Sequence, residues 1–204
     1  MRFLPALATA LLPDPFYQAL TVDSPDPGHQ GKVLESYFAY SFEEGCRTGK
    51  VVVAPSEADG AAIWLLPRTD RVQSQESRQK ASFLTQLLGE RGSLNYHSIV
   101  DFMSPLAEKH VPANAWYLSI IGVSPSSQGQ GLGVKLLLPT LAEADVANVP
   151  TYLETFSPRN IPFYARLGYE VVAEYLEPVT RSTYSIMCRE ASTPRLDSPS
   201  GARN

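Results

Sequence analysis

The 204-residue sequence predicts a mixed α/β fold in one domain, and three observations carry that reading. First, Trp116-Tyr117-Leu118-Ser119-Ile120-Ile121 is rich in aromatic and β-branched residues and reads as a strand, which runs through a Gly-rich turn into a helix-patterned stretch from Val134. Second, two pairs of strand-like runs stand close enough in sequence to pair antiparallel. These are residues 50–54 with 61–66, joined through Asp59-Gly60, and residues 170–176 with 183–189. Third, apolar residues recur near helical spacing ahead of the first pair and after the Gly-rich turn.

Taken in order, residues 3–20 read as one helix, or as two broken at Pro13 with Asp14-Pro15 as the punctuation. Residues 22–29 form a turn-rich loop, and a helix over 32–48 carries Val33, Tyr37, Phe38, Tyr40 and Phe42 before Gly49 stops it. Between Arg68 and His110 the runs 81–88 and 99–103 predict two helices linked through Gly89 and Gly92. In the helix from Val134, the residues Val134, Leu137, Leu138 and Leu141 fall at i, i+3, i+4 and i+7 and define a buried face, while Pro139 predicts a kink or a lost hydrogen bond. Thr151–Thr155 is a strand with Tyr152 and Glu154 on one face and Leu153 on the other. Asn160 is expected to cap the next helix and Gly168 to end it. Residues 1–190 make up the domain, and the Ser/Pro/Gly-rich tail 191–204 is expected to be disordered.

Composition narrows the function classes. The chain is 44% apolar and 19% charged, ordinary for a globular protein, with a net charge of −4 and no Lys/Arg run. That charge speaks against nucleic acid as a partner, because such affinity comes mainly from basic contacts to phosphate. Cys46 and Cys188 stand alone, giving neither a zinc pattern nor a disulfide framework, so no metal is expected and a reducing cytoplasm is the expected location. Arg2 and the run to Ala10 have the outline of a short secretory signal. Pro5 interrupts it and the pattern continues into Leu11-Leu12, which favours an amphipathic helix. No apolar run approaches the roughly 18 residues that a membrane span needs.

The Gly-rich stretch, Val123-Ser124-Pro125-Ser126-Ser127-Gln128-Gly129-Gln130-Gly131-Leu132-Gly133, carries most of the functional signal. Glycines at 129, 131 and 133 let the main chain approach a ligand, and amides at a helix N-terminus form a cradle for phosphate. The Walker pattern fails, because Lys135 lies between Val134 and Leu136. A dinucleotide fingerprint fails too, because the spacing is G-x-G-x-G. The stretch instead resembles the Q/R-x-x-G-x-G/A signature of the GCN5-related N-acetyltransferases (GNATs), with Gln128, Gly131 and Gly133 in the defining places. Downstream, Asn160-Ile161-Pro162-Phe163-Tyr164-Ala165-Arg166-Leu167-Gly168-Tyr169 resembles the family's second motif. Residues 115–190 are most similar to the branch containing puromycin N-acetyltransferase.

The resemblance implies the GNAT fold, a mixed and mostly antiparallel central sheet flanked by helices. Family members begin with a strand, for which there is no room ahead of Phe3, so either the first strand is missing or the chain begins late. It implies acetyl-CoA as co-substrate, held along Ile121, Gly122 and Val123, over Gln128, Gly129, Gln130, Gly131, Leu132 and Gly133, and against Asn160, Phe163 and Tyr164. Tyr164 is then the general acid for the departing thiolate, on one helix face with Asn160. Glu154, a strand carboxylate among apolar and hydroxylic residues, is the candidate general base, with His97, His110 and Asp101 as lesser candidates and a water relay equally open. The acceptor pocket would lie near Tyr17, Asp23, Asp26, Tyr37, Tyr40 and Tyr175. The expected activity is acetylation of a small amine by direct attack on the thioester, by a monomer or homodimer. The alternatives are protein or peptide N-acetylation and a CoA-binding module without turnover.

Overall fold

The structure, a computed structural model, describes residues 1–56, 59–68 and 70–192, without the side chains of 70–76. The strands are β1 (Gly49–Val53), β2 (Gly60–Leu65), β3 (Trp116–Val123), β4 (Thr151–Thr155), β5 (Glu170–Leu176) and β6 (Thr183–Arg189). They form one sheet in the order β1-β2-β3-β4-β6-β5. Every neighbouring pair is antiparallel except β3 and β4, which are joined by a helical crossover, as parallel strands require. The helices are α1 (Leu4–Leu11), α2 (Pro15–Leu20), α3 (Pro27–Thr48), α4 (Asp70–His110), α5 (Leu132–Ala147) and α6 (Ile161–Ala165). Among the described residues no strand precedes α1.

Period-two geometry splits the strand side chains between two cores. Ile63, Ile120, Tyr184 and Ile186 face Leu7, Leu20, Leu34, Phe38 and Leu84 from α1 to α4. Their sequence neighbours Trp64 and Met187, with Leu118 and Leu153, face Leu136, Leu137 and Leu141 of α5 and Tyr164 of α6. The stretch that has the outline of a secretory signal is therefore packed core, with Leu7 fully buried against the sheet. Across β2 and β3 the register jumps from Ile63↔Ile120 to Trp64↔Leu118, so Ser119 is an extra, bulged residue.

Several boundaries differ from the sequence reading. The expected loop 22–29 is shorter, because Asp26 accepts a hydrogen bond from His29 N at 2.9 Å and starts α3 at Pro27. The hairpin between β1 and β2 is longer than a two-residue turn: Asp59 N donates back to Ser56 O, and residues 57 and 58 lie outside the described residues. The stretch before His110 is one span interrupted only at Gly89 (φ 75°, ψ −178°). Gly92 lies inside the helix, where a Cβ would come 2.3 Å from Leu20 O; it is a packing glycine between α2 and α4. On α5 the buried face is Leu136, Leu137, Thr140, Leu141 and Ala144, while Leu138 is 51% exposed. Residues 193–204 of the expected disordered tail lie outside the described residues. Ser192 is tied down through its main-chain N–H to Asp145.

Candidate active site

The pairing of β3 with β4 stops at Leu118↔Leu153. From Ser119 to Val123 the β4 side of β3 therefore has no strand beside it, and a cavity of about 120 Å³ opens there. Residues 118–121 of β3 line one wall and Leu153, Glu154, Thr155 and Phe156 the other. Glu154 belongs to the face covered by α1 to α4, whereas Tyr164 rises from α6 on the opposite face. Both reach this one cavity through the split.

Gly131, at the entrance to α5, is left-handed (φ 74°), as is Gly129 (φ 76°), and a Cβ on either would meet nothing within 4 Å. Among the described residues the main-chain N–H groups of Leu132, Gly133 and Val134, in the first turn of α5, have no intrahelical acceptor, as a helix start dictates. These orphan amides, open space and a helix N-terminus fit a diphosphate. Gln128 Nε2 donates to Val123 O at 3.0 Å and Gln130 Nε2 to Ser126 O at 3.3 Å, so the two glutamines brace the loop with their side chains. Gly133 serves packing, because a Cβ there would sit 3.2 Å from the Phe163 ring. Leu132 begins the helix, and Ile121, Gly122 and Val123 lie on the unpaired stretch of β3, where Leu7 of α1 covers Gly122 from the side.

Glu154 accepts hydrogen bonds from the hydroxyls of Tyr184 and Tyr117. Burial pushes its pKa above the ordinary carboxylate value, and these two bonds oppose the rise. Tyr164 is 7% exposed, and its phenol is held well above its ordinary pKa, first by burial and then by the neighbouring Tyr169 and Asp14. Asn160 starts α6 without a side-chain cap bond, contrary to the expected cap, and lines the cavity.

Sequence reasoning missed Asp14. Its carboxylate caps α2, accepting from Phe16 N at 2.9 Å, yet it also lines the cavity, and burial raises its pKa. Asp14-Pro15 resembles loop punctuation; only the packing of α2 beneath the sheet brings it close to Tyr164.

Of the expected acceptor-pocket residues, Tyr17 and Tyr37 line the cavity, joined by Phe16, Met103, Tyr117 and Phe156. The other four lie elsewhere. Asp23 takes the N–H groups of Arg91 (2.7 Å) and Gly92 (3.2 Å) where α4 restarts after Gly89. Asp26 caps α3, Tyr40 stacks on Phe83, and Tyr175 bonds His110. His97 meets the edge of Tyr96, and Asp101 is exposed. Among the described residues no cluster of three or more His, Cys, Asp or Glu could hold a metal.

Residues 92–169, spanning both motifs, match the model of the acetyltransferase (GNAT) family. The fold recurs in a Corynebacterium glutamicum protein described as a histone acetyltransferase HPA2 and related acetyltransferase, 23% identical, with a TM-score of 0.64 over 95% of this chain and 93% of that one. It recurs in arylalkylamine N-acetyltransferase 2 from Aedes aegypti, 17% identical, with a TM-score of 0.61 over 93% of both chains. An agmatine N-acetyltransferase is 15% identical, with a TM-score of 0.55 over 91% of this chain and 93% of that one. Residues 92–169 thus carry a match to the GNAT acetyltransferase family, and the fold is one that solved acetyltransferases share.

Proposed function

We propose that the protein is an acetyl-CoA-dependent N-acetyltransferase that acetylates the amine of a small molecule by direct attack. The observation that carries this reading is the single cavity that holds a buried carboxylate, Glu154, on one side of the split and a buried phenol, Tyr164, on the other. An acceptor amine arrives as an ammonium ion and must lose a proton before it can attack. Glu154, with its raised pKa, takes that proton. Tyr164 stays protonated, because its phenol is held far from ionisation, and keeps a hydrogen for the leaving sulfur. Acetyl-CoA supplies the activated acetyl group. The amides of 128 to 134 would hold its diphosphate, and the unpaired edge of Ser119 to Val123 its extended arm.

Aromatic walls from Phe16, Tyr17, Tyr37 and Phe156, with Asp14 beside them, suit a cationic amine on a compact apolar or aromatic body. The small volume, about 120 Å³, favours such an acceptor over a protein N-terminus or lysine. The similarity of residues 115–190 to the puromycin N-acetyltransferase branch, and the arylalkylamine and agmatine acceptors named for two proteins of this fold, point the same way. The test is CoA release from acetyl-CoA with tyramine, agmatine, puromycin and a free-amine peptide. Turnover of at least one small amine, with Tyr164→Phe slowed about 100-fold but still binding CoA, is expected. Turnover of the peptide alone would make the protein a peptide acetyltransferase. CoA binding with no transfer to any of them would make it a binding module.

A further inference from the structure

The Gly-rich loop is held from outside by the tip of the first hairpin. Asp59, the residue before β2, accepts a hydrogen bond from Ser124 N through its main-chain oxygen at 2.7 Å, and one from Ser127 Oγ through its carboxylate Oδ1 at 2.8 Å. Ser127 N in turn donates to Ser124 O at 2.8 Å, so the two residues that Asp59 grips bracket one 3-10 turn, Pro125–Ser127. Gly60 lets the hairpin come this close: a Cβ there would fall 2.2 Å from Gly122 O and 3.0 Å from Val123 Cα. Within the loop Pro125, Ser126 and residues 128–131 are exposed, whereas Ser124 and Ser127 are half-buried. The grip lies where the loop meets the body of the fold.

A diphosphate cradle aims N–H dipoles of one orientation at one spot, and they repel one another until the anion arrives. Gly129 and Gly131, both left-handed, follow Ser127 within four residues, and glycine has the most backbone freedom to lose on ordering. Held only where α5 begins, such a loop would sample many arrangements, and the coenzyme would bind at the cost of ordering it. Gln130 carries the constraint forward, because its Nε2 donates at 3.3 Å to Ser126 O inside the gripped turn. We propose, on the acetyl-CoA reading above, that Asp59 is a positioning residue for the coenzyme: by fixing Ser124 and Ser127 it sets the Gly-rich loop in its diphosphate-binding shape before the ligand arrives. Asp59 is not part of the lining of the cavity that holds Glu154 and Tyr164, so it acts on coenzyme binding and not on the transfer. Its charge alone would work the other way, because a carboxylate near a diphosphate repels it. Geometry and charge therefore predict opposite effects when the carboxylate is removed.

The test titrates wild type, Asp59→Ala, Asp59→Asn, Ser127→Ala and the double variant Asp59→Ala/Ser127→Ala with CoA by calorimetry, beside their thermal midpoints. Asp59→Ala and Ser127→Ala are each expected to weaken CoA binding about tenfold, the worth of one hydrogen bond to a charged group. The double variant is expected to bind no worse than either single one, because both remove the same bond. Asp59→Asn keeps Oδ1 as an acceptor for Ser127 and is expected within about twofold of wild type. Acetyl-pantetheine carries the same thioester without the diphosphate, and with it as donor every variant is expected to match wild type on the small amine that wild type uses best. Four results would each overturn the role of Asp59 and leave the acetyltransferase reading intact: wild-type CoA affinity in both Asp59→Ala and Ser127→Ala, tighter binding in both Asp59 variants, Asp59→Asn as weak as Asp59→Ala, or equal losses with both donors and a lowered thermal midpoint. A wild-type protein that binds CoA but acetylates no amine would overturn the acetyltransferase reading, and the titration would still decide the role of Asp59. A wild-type protein that binds no CoA would overturn both.

Discussion

Tyr184 donates its phenolic hydrogen to Glu154 across the paired strands β4 and β6, and the pair sits where β3 and β4 part. Two consequences follow from a carboxylate whose pKa is raised by burial against the pull of its hydrogen bonds. A general base works only when ionised, so activity falls as pH drops through the raised value. The acid limb of kcat/KM is therefore expected above the ordinary carboxylate value of 4.5. Glu154→Gln should lower kcat by about 100-fold or more and remove that limb, measured with saturating acetyl-CoA from pH 5 to 9.

The same substitution should be gentle on stability. A folded pKa above the unfolded one means that the folded state binds the proton more tightly, so this group favours folding at low pH and loses that contribution as pH rises through the folded pKa. Glu154→Gln removes the cost of burying the ionised form and keeps an acceptor for Tyr184 and Tyr117. A thermal midpoint equal to or above that of wild type at pH 8, with the advantage gone in acid, is expected by calorimetry.

Asp14 caps α2 and faces the cavity, and the two roles separate on substitution. Asn is as good an N-cap as Asp, so Asp14→Asn should leave urea stability within about 0.5 kcal/mol of wild type. It removes the negative charge that would meet an ammonium between Phe16 and Tyr17. The expected result is an amine KM raised about tenfold with kcat changed less, read from initial rates against a cationic amine. An unchanged KM would assign Asp14 to capping alone.

Gly131 and Gly133 predict opposite phenotypes although they lie two residues apart. At Gly131 an Ala side chain meets no protein atom but adopts φ 74°, at roughly 1–2 kcal/mol of strain, and its methyl projects into open space at the loop. Titration of Gly131→Ala with CoA should show at least tenfold weaker binding. At Gly133 the added methyl meets the Phe163 ring at 3.2 Å, so Gly133→Ala should shift that ring and lower the melting temperature.

How much of this could be read from the chain depended on how local each feature is. The Gly-rich turn, the strand that carries Glu154 and the Asn160-to-Gly168 segment hold their signals within a dozen residues; the last two line the cavity, and Gly133 of the turn meets Phe163. Asp14 escaped because its meaning depends on α2 packing beneath strands more than a hundred residues away. The stripe on α5 was misplaced because Leu136-Leu137-Leu138 is an unbroken apolar run whose orientation only tertiary packing selects, leaving Leu138 outside. Gly92 resembled a helix breaker, and the reason it is tolerated, Leu20 O pressed against its Cα, is again a contact between distant elements.

Arg189 fixes the other side of the site. Its guanidinium holds both oxygens of Asp145 on α5, at 2.7 and 2.8 Å, while its Nε donates to Leu167 O in the turn that ends α6. One side chain on β6 thereby ties the helix behind the Gly-rich loop to the segment that presents Tyr164. The Asp145 carboxyl is held below its ordinary pKa by these bonds and by the Ser192 N–H. Asp145→Asn leaves one oxygen where two were bound, with the Arg189 charge 8% exposed and half answered. A loss of about 2 kcal/mol in urea unfolding at pH 7 is expected. A depressed carboxylate pKa contributes stability that is complete above the ordinary value of 3.8 and is lost as pH falls through the lower folded value, so the gap between variant and wild type should close in that acid range. If the gap stays constant from pH 7 down to pH 2, packing and not charge holds α5 to β6. The loop and Tyr164 would then be coupled through the apolar packing of α5, Leu136 and Leu137 among it.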